Sequence, residues 1–151
     1  MSERSEKALE LFKSGFNCSQ AIFAPFAKNL GLDEETSLKL ACGFGNGIAR
    51  KGEVCSAVTV AALISGLLYG SADSKDAKSL GQTYEEIQRV EKLFCKKHGS
   101  SLCRELRENG QPDSDEKNKY KKRPCDELIE DAVVLIEKVM FEDEVDKYGK
   151  D

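Results

Sequence analysis

Apolar side chains recur at intervals of three and four residues along most of the chain, a spacing that is typical of amphipathic helices. Asn17, followed three residues later by Gln20, has the arrangement of a helix capping box. Pro25 removes a backbone donor soon afterwards and should kink the helix that begins there. Pro124 is placed to open a last helix. The pattern predicts an all-α fold, a single domain of about five to seven helices.

The most apolar stretch covers residues 54–69, which is 16 residues long. This is shorter than the roughly 20 residues that a helix needs to cross a bilayer. We therefore predict a buried central helix around which the others pack. A long amphipathic helix should follow it, with a stripe formed by Leu80, Tyr84, Ile87, Val90 and Phe94.

Length and composition indicate one domain. The chain has 151 residues, of which 40% are hydrophobic. We expect a helical cysteine-rich domain over residues 1–141 and a charged C-terminal tail over residues 142–151. The net charge of -4 gives no support to nucleic-acid binding. The polar N-terminus has no secretory signal. We expect a cytoplasmic protein without a membrane or nucleic-acid partner, and the sequence leaves a homodimer open.

The six cysteines fall at the predicted ends of helices. Cys42 and Cys95 lie at C-terminal ends, where the helix dipole favours a neutral thiol, so we expect packing roles for them. The other four lie at N-terminal ends, where the dipole favours the reactive thiolate. We therefore interpret them as the chemical set: Cys18, Cys55, Cys103 and Cys125.

The surroundings of these cysteines add further expectations. A basic stretch at residues 117–123 precedes Cys125 and would favour its thiolate. The glycine-rich residues 43–47 indicate positive φ angles or a close backbone approach, which we expect to be towards Cys55. His98, before a glycine at a helix end, is expected to be an exposed capping residue. No two of the four form a Cys-x-x-Cys pair, so the fold has to bring them together.

Several segments resemble the C_GCAxxG_C_C family of bacterial and archaeal redox-active proteins. They are NCSQA at residues 17–21, GFGNG at residues 43–47, GEVCSAVT at residues 52–59, LCREL at residues 102–106, and Cys125. The resemblance covers roughly residues 5 to 140. It implies that the four recurring cysteines of the family correspond to Cys18, Cys55, Cys103 and Cys125.

The chain departs from the family pattern after its second cysteine. Ser56 and Val60 occupy positions at which the family tends to carry glycine. Val60 argues against the approach of a ligand to that face of the helix. The resemblance implies a class of chemistry and no particular substrate.

Three functions are compatible with these residues. The first is thiol–disulfide chemistry without a cofactor, with an unknown redox partner protein or a small thiol as the reaction partner. Four cysteines allow three pairings, of which we favour Cys103 with Cys125 and Cys18 with Cys55. We expect Cys55 or Cys125 to be the attacking thiolate.

The second function is a metal site in which all four cysteines hold zinc or an iron–sulfur cluster. The third is a helical interaction domain without catalytic activity, in which the cysteines are unrelated packing residues.

Overall fold

A computed structural model describes residues 2–106 and 124–141 of the chain. These residues form seven α-helices and no strand, which confirms the predicted all-α class. The helices are α1 (Glu3–Lys13), α2 (Cys18–Phe23), α3 (Glu34–Ala41), α4 (Ser56–Tyr69), α5 (Ala77–His98), α6 (Cys103–Leu106) and α7 (Cys125–Met140). Two 3₁₀ helices, Ala24–Leu30 and Cys42–Phe44, follow α2 and α3. The basic stretch at residues 117–123 and the predicted tail at residues 142–151 lie outside the described residues.

Side-chain caps fix where the first two helices begin. Ser2 and Ser5 form a capping box at α1. Asn17 and Gln20 form a second one at α2, in which each side chain accepts a 3.0 Å hydrogen bond from the backbone N–H of the other residue. A kink was expected at Pro25. Instead the α-helix ends at Phe23, before the proline, and the chain continues as a 3₁₀ helix.

The core is built around α2 and the 3₁₀ helix that follows it. Helix α2 packs against α1, α3, α4 and α7. Ile22, Phe23 and Phe26 are almost completely buried there. The centre of the fold is therefore a short helix, and it places Cys18, the first residue of α2, beside several neighbouring elements.

Helix α4 forms where the apolar stretch predicted it, but it is not buried on all sides. It packs against α5, α2 and α7 through Val60, Ala61 and Ile64. Its opposite face includes Leu67, which remains 49% exposed. One face of the helix is therefore buried as expected, and none of the described elements covers the other face.

The stripe along α5 is buried over only part of its length. Val90 and Phe94 are fully buried, whereas Leu80 and Tyr84 are 51% and 55% exposed. The C-terminal half of α5 thus contributes to the core, and its first turns lie at the surface. No helix of the described residues is both long and apolar enough to span a membrane.

The first and last helices are tied together by one arginine. The Arg4 guanidinium pairs with the Glu137 carboxylate at 2.8 Å and donates to the Asn29 side-chain oxygen at 2.9 Å. It also lies 4.9 Å from the ring centres of both Phe26 and Phe141. Both charged side chains are mostly buried, so this contact fixes how α7 packs on α1.

Candidate functional site

One pocket brings together the four cysteines that the sequence singled out. Cys18, Cys55, Cys103 and Cys125 all line it. The cavity volume of the pocket is about 20 Å³, which is room for about one water molecule. Apart from the cysteines, its wall is mainly apolar, and no charged side chain lines it among the described residues; the other lining residues are Ile22, Gly47, Ser56, Leu106, Leu128 and Ile129.

Each of these cysteines lies at the start of a helix, as predicted. Cys18, Cys103 and Cys125 are the first residues of α2, α6 and α7. Cys55 is the residue that caps α4. The pocket is therefore a meeting point of four helix starts that are far apart along the chain.

A short backbone pairing joins the segments that lead into two of the cysteines. Val54 and Leu102 form an isolated antiparallel bridge. The Cys55 N–H donates to the Ser101 carbonyl at 2.8 Å, and the Cys103 N–H donates to the Glu53 carbonyl at 2.6 Å. Cys55 is thus paired with Ser101, and Cys103 with Glu53. The start of α6 is thereby fixed against the start of α4.

The loop between α3 and α4 has an uncommon backbone. Five consecutive residues, 46–50, have positive φ, and only Gly47 among them is a glycine. The left-handed conformation costs roughly 1 kcal/mol or more for each of the others. Backbone hydrogen bonds close the loop, including one from the Glu53 N–H to the Gly47 carbonyl at 2.9 Å. Strain of this kind persists only where surrounding contacts enforce it, and here the loop forms one wall of the pocket.

Two glycines of this loop are required by close contacts. A Cβ at Gly47 would lie 2.7 Å from the Cys103 Cβ and 2.6 Å from the Glu53 nitrogen. A Cβ at Gly45 would lie 2.4 Å from the Asn17 side-chain nitrogen. The predicted close backbone approach is present, but it is towards Cys103 and Asn17. Gly47 also lines the pocket that contains Cys55, the residue towards which the approach was expected.

The sulfur of Cys18 makes two polar contacts. Its Sγ accepts from the backbone N–H of Asn46 at 3.4 Å. The Sγ also lies 3.2 Å from the hydroxyl oxygen of Ser56. That hydroxyl can alternatively donate to the Phe44 carbonyl, 3.4 Å away. The strained loop and the start of α4 thus both direct polar groups at this one sulfur.

Cys55 differs from the expectation based on its helix end. Burial raises the pKa of its thiol to about 12, and the nearby sulfurs of Cys18, Cys103 and Cys125 act in the same direction. The hydrogen bond from the Ala57 N–H opposes this rise but is the weaker effect. The prediction of a readily formed thiolate at Cys55 was therefore wrong. The mutual influence of the four sulfurs also indicates that they lie close together.

Comparison with known families agrees with this arrangement of cysteines. The family model described as "Putative redox-active protein (C_GCAxxG_C_C)" matches residues 16–139, a range that contains the whole described pocket. The chain belongs to the C_GCAxxG_C_C family. No curated protein and no solved structure gives a significant match to the chain.

The other two cysteines, Cys42 and Cys95, do not line the pocket. Cys42 ends α3 and is exposed, so the expectation that it packs in the core was wrong. Cys95 lies in the last turn of α5 and donates to the Glu91 carboxylate at 3.4 Å. Burial, followed by the Glu91 carboxylate, raises the pKa of the Cys95 thiol. A neutral thiol at Cys95 was expected from the helix dipole, whereas burial and the Glu91 carboxylate favour it here.

His98 is buried and does not cap the surface end of α5. Its ring centre lies 4.6 Å from that of Phe94, and its Nε2 lies 3.0 Å from the Asp131 carboxylate. The expectation of an exposed residue was wrong, because the last turn of α5 packs against α7. His98 does not line the pocket of this C_GCAxxG_C_C protein. Its contacts are those of a residue that joins two helices.

Arg104, next to Cys103, carries a positive charge near the site. Its guanidinium donates to the Gly52 carbonyl at 3.1 Å and lies 3.7 Å from the Glu53 carboxylate. The basic stretch before Cys125 falls outside the described residues. Within residues 2–106 and 124–141, no three histidine, cysteine or acidic side chains are grouped so as to hold a metal ion.

Proposed function

We propose that this C_GCAxxG_C_C protein carries out thiol–disulfide exchange with the four cysteines of its pocket: Cys18, Cys55, Cys103 and Cys125. The observation that carries the proposal is that four cysteines from four separate helix starts line one pocket. The remaining two cysteines lie elsewhere. A set of unrelated packing residues would have no reason to meet at one point.

The proposed reaction is a two-electron exchange. A protein thiolate attacks one sulfur of a substrate disulfide, forms a mixed disulfide with it, and releases the other sulfur as a thiolate. A second cysteine of the pocket then loses its proton and attacks the mixed disulfide. This forms a disulfide within the protein and releases the second substrate thiolate. The pair of protein thiols is oxidised, and the substrate disulfide is reduced to two thiols. The reverse reaction oxidises a dithiol substrate.

We propose two pairs for this chemistry, Cys18 with Cys55 and Cys103 with Cys125. The contact between the start of α2 and the start of α4 supports the first pair, since Cys18 lies beside Ser56, the residue after Cys55. The bridge between Val54 and Leu102, the residues that precede Cys55 and Cys103, supports a competing pair, Cys55 with Cys103. Peptide mapping of the oxidised protein under non-reducing conditions distinguishes these pairings. The partner is a redox protein or a small thiol.

A four-thiolate metal site is the second candidate. The meeting of four cysteines at one pocket favours it, because four thiolates suit tetrahedral zinc or an iron–sulfur cluster. The absence of a metal-binding grouping among the described residues means that the sulfurs would have to move to bind an ion. Thiol exchange requires no such common geometry of four sulfurs, so we place it first.

One experiment separates these functions. The protein is purified without oxygen, its absorption spectrum and metal content are recorded, and free thiols are counted before and after reduction. Thiol exchange predicts that oxidation removes two or four thiols, that reduction restores them, and that no metal is bound. About one equivalent of zinc, or an iron–sulfur spectrum, would establish the metal site instead. Six free thiols under all conditions would leave a helical interaction domain.

A further inference from the structure

We infer that Cys18 reacts before Cys55 and that Ser56 is the residue that positions Cys18. This inference rests on the proposed thiol chemistry and assigns the roles within the pair Cys18 and Cys55. It replaces the expectation, based on helix ends, that Cys55 would attack.

Cys18 has two polar partners that a thiolate can use. The Asn46 N–H is fixed by the left-handed loop and can only donate, so it points a permanent donor at the sulfur. The Ser56 hydroxyl lies 3.2 Å from the same sulfur. Hydrogen bonds to an ionised group are stronger than those between neutral groups. Both contacts therefore place a hydrogen-bond donor where the sulfur of Cys18 can accept it during attack.

Ser56 suits this role because it serves both forms of the thiol. When Cys18 carries its proton, the thiol can donate to the Ser56 oxygen while the hydroxyl donates to the Phe44 carbonyl, 3.4 Å away. When Cys18 loses its proton, the hydroxyl turns and donates to the sulfur. The buried oxygen of Ser56 is satisfied in each case, so ionisation leaves no orphaned polar atom.

The neighbouring cysteine has a different environment. Cys55 is flanked by three other sulfurs, and the one hydrogen bond that favours its ionised form comes from the Ala57 N–H. The sulfur of Cys18 has two polar partners, the Asn46 N–H and the Ser56 hydroxyl. The two cysteines therefore divide the work, with Cys18 as the attacking thiol.

The test measures how fast each cysteine reacts with iodoacetamide in the fully reduced protein. A thiolate displaces iodide and forms a thioether, and the rate at each cysteine is read from the digested protein by mass spectrometry. We expect Cys18 to react faster than Cys55. Ser56→Ala should lower the reaction rate of Cys18 about tenfold, because a hydrogen bond to a charged group is lost at that sulfur. The reaction rate of Cys125 should change by less than about twofold. Ser56→Thr, which keeps the hydroxyl, should restore the rate.

A matched control comes from the same helix. Ser65 is also buried on α4, and its hydroxyl donates to the Thr83 carbonyl at 2.8 Å, away from the pocket. Ser65→Ala should leave the Cys18 rate unchanged. If Ser56→Ala merely loosened the structure, all pocket cysteines would react faster. A general increase of this kind would overturn the inference, and so would an unchanged Cys18 rate in Ser56→Ala. A slow Cys18 rate in a Ser56→Thr protein whose melting temperature is unchanged would overturn it as well.

The measurement does not depend on disulfide formation. If Cys18 and Ser56 behave as expected but oxidation never removes thiols, the proposed function fails and the assignment of the reactive cysteine stands. If disulfides form reversibly while Ser56→Ala has no effect, the assignment fails and the function stands.

Discussion

The backbone conformation of residues 46–50 places the Asn46 N–H at the sulfur of Cys18 and places Gly47 against Cys103. The density of glycines predicted unusual backbone in this region, and Gly47 fulfils that prediction with a φ of 70°. Ile48, Ala49 and Arg50 are also left-handed, which their residue types could not indicate, since such residues rarely adopt this conformation. The surrounding hydrogen bonds impose it, and these form only in the folded chain.

Replacement of Gly47 by alanine tests this loop. Its Cβ would lie 2.6 Å from the Glu53 nitrogen and 2.7 Å from the Cys103 Cβ, where backbone has to move. We expect Gly47→Ala to lower the free energy of unfolding by about 2 kcal/mol or more. Gly43→Ala is the control, because no atom lies within 4 Å of its Cβ position. It should change stability by less than about 0.5 kcal/mol in urea denaturation. Equal stabilities of the two variants would contradict the close approach.

The thiol of Cys55 makes stability depend on alkaline pH. Its pKa is raised in the folded protein from 9.0 to about 12, so the folded state retains a proton that the unfolded state loses. The contribution of Cys55 to stability is therefore complete below pH 9 and is lost as the pH rises towards 12.

The comparison is urea denaturation of the reduced protein and of Cys55→Ala at several values between pH 8 and 11. Lysines and tyrosines titrate equally in both proteins and cancel. The unfolding free energy of the unsubstituted protein should fall more steeply with pH than that of the variant. Parallel curves would show that burial does not perturb this thiol.

At the level of elements, local signals predicted where helices begin better than how they pack. The capping boxes at Ser2 and Asn17 are short-range patterns, and both are present. The contact between Arg4 and Glu137 joins residues 133 positions apart and has no local signature. The exposed face of α4 was missed for the same reason, since the hydropathy of a stretch does not show which side a neighbour covers.

Arg4 should contribute strongly to the packing of α7 on α1. Arg4→Ala would leave the Glu137 carboxylate mostly buried without its arginine and would remove the contacts with Phe26 and Phe141. We expect the free energy of unfolding to fall by about 3 kcal/mol. Lys39→Ala is the control, because Lys39 and its partner Glu35 are 77% and 76% exposed. It should cost less than about 0.5 kcal/mol. Similar losses in the two variants would show that the Arg4–Glu137 contact contributes no more to stability than an exposed ion pair does.

At the scale of the whole molecule, the candidate site was predictable as a set of residues but not as a geometry. Helix-end reasoning and the family resemblance selected the same four cysteines, and these line one pocket. Neither could show that the Val54–Leu102 bridge fixes two of them, or that Ser56 reaches Cys18. These contacts join segments remote in sequence. Burial, which determines the pKa of Cys55, likewise depends on the completed fold.

The most direct test of the account is a redox titration of the protein in buffers of oxidised and reduced dithiothreitol. At each step free thiols are blocked, and the mass shift counts them. The account predicts a reversible loss of two or four thiols, confined to peptides that contain Cys18, Cys55, Cys103 and Cys125, while Cys42 and Cys95 stay free. Retention of all six thiols under oxidising conditions, or disulfides that involve Cys42 or Cys95, would contradict it.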